Sequence, residues 1–192
     1  MSQALTGGCA STRPFFFSTK IAKKTKVTTI VFVVAFVGVL AAAGCSSKPP
    51  LANTSDSPEA LARAVLDALH ARDRTRLQEL ALSEGEFATH VWPSLPAARP
   101  ERNLPLSYVW GDLRQKSNLA LTNTLTAHGG TQYELLGVSF GDVTPYAGYR
   151  VHRESAFRVR DAAGAGAEVI IRVCGSMVEK DGRWKVFSYV VD

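Results

Sequence analysis

The side chains able to do chemistry in this chain are few and widely spaced. Its four histidines, His70, His90, His128 and His152, lie too far apart for a local metal signature. No cysteine pair stands near them, so no metal site is expected. No G-x-S-x-G element occurs, and no Ser/His/Asp arrangement is visible. Gly164-Ala165-Gly166 is a G-x-G between two strand-like runs, which is turn chemistry and no phosphate cradle; no cofactor is implied. Two residues remain. Cys45 closes a charge-free apolar run, where a thiolate could accept an acyl group. Arg153 sits in an apolar strand pattern, where a guanidinium calls for an anionic partner.

The surroundings of Cys45 are those of an export signal. Lys20, Lys23, Lys24 and Lys26 precede an apolar stretch from Val27 that ends in Ala42-Ala43-Gly44-Cys45. That ending resembles the lipobox of bacterial lipoproteins. The resemblance implies cleavage before Cys45 and two or three acyl chains on Cys45, enough to hold a protein at a membrane. Residues 1–44 are then a signal peptide, and the rest lies in the cell envelope. Ser46 replaces the aspartate that favours inner-membrane retention in Gram-negative lipoproteins, which implies the outer membrane, facing the periplasm or the surface. An uncleaved anchor or an ordinary cleaved signal also stands, since the run is at the lower limit for a bilayer span.

Composition points the same way. All 17 acidic residues lie after Cys45, while Arg13 and the four lysines account for five of the 22 basic ones. The mature part therefore carries 17 charges of each sign, and the +5 of the whole chain belongs to the leader. Nucleic acid is not an expected partner. Of three cysteines, Cys9 falls in the leader and Cys45 takes lipid. Cys174, in an apolar strand, is left alone, so no internal disulfide is expected and the thiol reads as a small buried residue.

The elements that must position any site follow from patterning. Residues 45–57 are polar and Pro-containing and read as a flexible tether. Residues 58–192 read as the domain. Ser57-Pro58-Glu59 opens a helix to about Arg72, with Leu61, Val65, Leu66 and Leu69 on one face. Short helices are expected around Leu77 and Leu80, then around Phe87 and Val91. The prolines at 93, 96, 100 and 105 exclude regular structure over 92–105. Pro93-Ser94-Leu95-Pro96 is formally a P-x-x-P ligand. Ser107–His128 is the longest expected helix, stopped by Gly129-Gly130. Four strands follow, over 131–140, 146–160, 168–179 and 183–191, with a loop at Gly141–Pro145 and the hairpin turn Asp181-Gly182.

Helices followed by an antiparallel meander give α+β, with N-terminal helices on one face of a curved four-stranded antiparallel sheet. The opening Pro58-Glu59-Ala60-Leu61 to Asp67-Ala68-Leu69 and the hairpin Met177 to Val186 resemble the nuclear transport factor two-like (cystatin-like) superfamily. That resemblance implies a cone-like fold with a pocket used by enzymes and binders alike.

Fixing the turns sets the register. Lys180 then faces Arg183, Met177 faces Val186, Gly175 faces Ser188, Val159 faces Val169, Phe157 faces Ile171, Arg153 faces Gly175, Leu135 faces Val151 and Tyr133 faces Arg153. One face becomes apolar, with Tyr149, Val151, Phe157, Met177 and Val186 on it. A transverse row Tyr133, Arg153, Gly175, Ser188 breaks it. Arg153, Tyr133 and Ser188 are the expected ligand-binding residues, for a small anionic or carboxylate-bearing ligand. The same row has a bland reading, in which Arg153 lies beyond the helices or pairs with Glu154. The opposite face, with Arg150, His152, Arg158, Phe187, Tyr189 and Ile170, reads as solvated or as a surface for another protein.

The expected function is a membrane-anchored binding module, non-enzymatic and without catalytic residues. A protein-interaction module of the envelope is the alternative. An isomerase- or dehydratase-type enzyme, with Asp112 on the long helix as base, stands behind both.

Overall fold

Three caps in succession start the helical half. The computed structural model describes residues 48–161 and 166–191. Ser57 Oγ accepts the Ala60 amide at 3.0 Å, and Pro58 takes the first position of α1 (Pro58–His70). Asp73 accepts from the Arg76 amide and starts α2 (Arg74–Leu80). Ser83 and Glu86 form a reciprocal capping box on α3 (Glu84–Glu86), which runs on as a wide turn over Phe87–Val91. The proline segment coils into three single 3₁₀ turns at Trp92–Ser94, Pro96–Ala98 and Pro100–Arg102. Its P-x-x-P stretch is thus not an extended ligand helix. The long helix α4 (Leu106–His128) follows. It ends where Gly130, at φ +87°, donates its amide to Leu69 O at 3.1 Å and ties the helix end to α1.

Among the described residues seven strands follow the helices: β1 (Tyr133–Ser139), β2 (Val143–Tyr146), β3 (Tyr149–Arg153), β4 (Ala156–Asp161), β5 (Val169–Ile171), β6 (Ser176–Lys180) and β7 (Arg183–Ser188). They form two antiparallel sheets, ordered β1-β4-β5 and β2-β3-β6-β7. The α+β class and the order of helices before strands are as read from sequence. The single four-stranded sheet is not: each of its two long middle strands breaks and contributes to both sheets. The first breaks at Glu154, which takes φ +52°, and the second at 172–175. Pro145, placed in a loop from sequence, lies instead within edge strand β2.

Register follows the expectation at the ends and departs from it at the bend. Lys180↔Arg183, Met177↔Val186, Phe157↔Ile171 and Val159↔Val169 all pair as expected. Arg153 pairs with Ser176 and not with Gly175, one residue out, because the second long strand carries an extra residue. A second irregularity pairs Ser188 with Ser176. A one-residue slip reverses faces, so Tyr149 and Val151 face the side opposite Met177 and Val186. The first strand differs most. Leu135 pairs with Val159 and Tyr133 with Asp161, because β2 and β3 close their own hairpin and leave β1 to β4.

The β2-β3-β6-β7 sheet is consequently covered on both sides. Met177 and Val186 join Leu61, Val65, Leu69 and Phe157 in the larger core under α1. Tyr149, Val151 and Val178 join Phe87, Val91 and Trp110 in a second core under the wide turn and the first half of α4. The face expected to be solvated is so only in part: Arg150, Arg158 and Ile170 are exposed, while Tyr189 and His152 are buried. Tyr189 donates its hydroxyl to Leu77 O at 2.6 Å. Arg160 meets Glu168, just before β5, at 3.3 Å.

The stretch read as tether is largely part of the domain. Ser55 and Trp184 exchange backbone hydrogen bonds at 2.9 and 2.8 Å. Leu51 packs on the second core. Lys185 Nζ donates to Ala52 O at 2.7 Å, and the Ala52 amide donates to Glu86 at 2.8 Å. Cys174 is fully buried, as expected from its strand, and burial pushes its thiol up to about 12. Ser155 Oγ donates to the Cys174 carbonyl beside it. Residues 1–44, Cys45, Cys9 and the turn residues 162–165 lie outside the described residues.

Candidate functional site

The slip at the bend opens a cleft. Between the first half of α4 and the β2-β3-β6-β7 sheet lies a half-open space of about 510 Å³. Its walls are apolar side chains: Phe87, Leu95, Val109, Leu113, Val151 and Phe187. Each wall has a local cause. Val109 and Leu113, both partly buried, are one turn apart on α4. Val151 is held by the β3 alternation, and Leu95 by the 3₁₀ turns, which Tyr149 pins to the sheet. The Tyr149 hydroxyl donates to Val91 O at 3.3 Å and receives the Ser94 hydroxyl at 3.3 Å. Burial raises the Tyr149 pKa, partly offset by the Ser94 hydrogen bond. Tyr146 stacks on Tyr149 at 4.8 Å and lines the cleft beside Val151.

One end of the cleft is polar. Arg153, Gly175 and Ser188, three of the four residues of the expected row, line it together. They meet through the bend and not through simple facing. Gly175 is required there: a Cβ would overlap the Val190 carbonyl oxygen, and the Gly175 amide donates to Ser188 O at 3.0 Å. Ser188 is buried, and its Oγ accepts the Val190 amide at 3.1 Å, so its own proton is left to donate. The Arg153 guanidinium is exposed on the cleft and makes no hydrogen bond or ion pair with any described residue. The burial expected for it from an apolar face is therefore absent.

Tyr133, the fourth member, is elsewhere. It stands on β1 opposite Asp161, and its hydroxyl pairs with His128 Nδ1 at 3.0 Å. Burial pushes the His128 pKa down. Asp112 does line the cleft, but its carboxylate is paired with Lys116 at 2.8 Å and is half exposed. Glu154 lines the polar end, with its carboxylate over Gly141. Among the described residues no group of His, Cys, Asp and Glu could hold a metal ion, and no helix is long and apolar enough to cross a membrane.

Sequence reasoning missed the walls. Phe87, Leu95 and Phe187 belong to three segments whose meeting depends on the wide turn and the coiled prolines. The α4 half is open to reading, since Val109 and Leu113 are apolar residues four apart within the expected helix. Compared with known proteins, the chain matches no family model, no curated sequence and no solved structure.

Proposed function

We propose that this chain is a lipid-anchored envelope protein whose domain binds a small ligand with an apolar body and an anionic group. One observation carries the ligand reading: an apolar cleft of about 510 Å³ is lined at its polar end by a guanidinium that has no partner among the described residues. A cleft of that size matches what a drug-sized ligand fills. An arginine fork binds a carboxylate or phosphate with two parallel bonds. Ser188 stands ready to add a third. The anchoring reading rests on Ala42-Ala43-Gly44-Cys45. The nuclear transport factor two-like reading of the fold goes with both, supported by helices leading into bent antiparallel strands.

Native mass spectrometry tests the ligand reading. The full chain, extracted in mild detergent, is expected to carry a small bound mass that Arg153→Ala loses. Wild type and variant carrying the same mass, or neither carrying any, defeats it and turns the search to protein partners by cross-linking in the envelope.

A further inference from the structure

The cleft and the membrane-proximal end of the domain share one core. Leu51 packs on the apolar cluster of Phe87 and Val151, around which Leu95, Val109 and Phe187 gather. Those same residues wall the cleft. Residues 52–55 are fixed on the far side of Leu51 by Lys185, Glu86 and Trp184. Only five residues lie between Leu51 and Cys45, six steps of chain. Fully extended, that is about 20 Å. An anchored Cys45 therefore holds the cleft's own core at the bilayer surface.

We infer that the ligand is a single-chain anionic amphiphile, an acyl chain ending in a carboxylate or phosphate, taken from the leaflet that holds Cys45. This rests on the ligand and anchoring readings above and adds the ligand's class and its source. The apolar walls take the chain. Arg153 and the Ser188 hydroxyl take the head: among the described residues the Arg153 guanidinium has no ion pair, whereas Lys116, the other cation lining the cleft, is already paired with Asp112. The volume suits one chain, and a two-chain lipid exceeds it.

The experiment uses the full lipidated chain in phosphatidylcholine vesicles. Tryptophan emission is followed as brominated stearic acid is added to the bilayer. Trp92 and Trp110 belong to the cleft's core, so a seated bromo-chain quenches them. Saturable quenching is expected at low mole fraction of the acid. It is expected to be at least about tenfold weaker for the methyl ester and for Arg153→Gln. Acid and ester acting alike, or variant and wild type acting alike, overturns the head assignment. Absence of saturable quenching by the acid, while anilinonaphthalene sulfonate still binds in an Arg153-dependent way, overturns the amphiphile class and leaves the ligand reading standing. Loss of both overturns both. A Gly/Ser insertion of about a dozen residues after Ser47 tests the source, because it frees the domain to leave the surface. Slower uptake from vesicles with unchanged uptake of acid supplied on albumin is expected. Equal uptake from both overturns the leaflet as source.

Discussion

Lys185 Nζ lies 2.9 and 2.8 Å from the two carboxylate oxygens of Glu86, with side chains only 3% and 11% exposed. This buried pair joins β7 to the capping box of α3 and, through Ala52, to the segment that enters the domain. Removing one partner leaves the other charge buried without compensation. Lys185→Met is expected to lower unfolding free energy by about 3–5 kcal/mol in a urea titration. It is also expected to open Leu51–Ser55 to protease, because two of the bonds that fix Ala52 depend on the pair.

Acid is expected to act in two steps. Burial alone lowers the His128 pKa, so the folded state holds fewer protons than the unfolded one below the ordinary value of 6.5. Stability from this group is full above that value and falls as pH drops through it toward the folded pKa. For Glu86, burial works to raise the pKa, but hydrogen bonds from Lys185, Ser83 and Ala52 together hold it below its ordinary 4.5. Its contribution is present above 4.5 and lost as pH falls through the folded value. Urea midpoints measured against pH should show both losses. His128→Gln should remove the upper one only, and the Lys185→Met penalty should shrink in acid, where Glu86 protonates.

Gly175→Ala is expected to be costly for its size. The new methyl overlaps the Val190 carbonyl oxygen and must push apart the strands at the bend. Overpacking of this kind costs about 1–3 kcal/mol. Because Gly175 lines the cleft with Arg153, the same substitution should weaken ligand retention in native mass spectrometry more than the equally conservative Gly182→Asn at the exposed hairpin turn.

The Cys174 thiol should be inert in the folded protein. Burial raises it to about 12, and the thiolate, not the thiol, is the nucleophile. Alkylation at pH 8, followed at the peptide containing Cys174, is expected only when urea unfolds the domain. Rapid labelling without denaturant would mean that the core around Ser155 and Tyr189 opens.

What sequence could disclose here was local. Ser57 and Asp181-Gly182 announce their own helix start and turn, because a cap or a two-residue hairpin needs nothing distant. Counting outward from a turn also served as far as Met177↔Val186 and Phe157↔Ile171. It failed beyond the bend, since Glu154 is not a residue that advertises φ +52° and an inserted residue leaves no compositional mark. The polar end of the cleft was therefore approached from a register that was partly wrong: Arg153 and Ser188 do line one cleft, while Tyr133 was carried in by pairing β1 with the wrong stretch. The stapling of residues 51–55 was illegible for a different reason. Polar, Pro-containing sequence is ordinary linker composition, and only the buried pair Lys185–Glu86, formed across 99 positions, gives Ala52 something to hold.

Trp184 ends in an unusual position. Its backbone is clasped by Ser55, and its ring lies 4.5 Å from His152 and 5.9 Å from Phe140 in a small aromatic stack at the sheet surface. The indole is thus a built-in optical gauge of the clasp. Peeling residues 51–55 from β7 would uncover it and shift its emission to the red, while Trp92 and Trp110 lost only Leu51 from their surroundings in the second core. A pull transmitted from an anchored Cys45 into residues 51–55 would then be readable as colour.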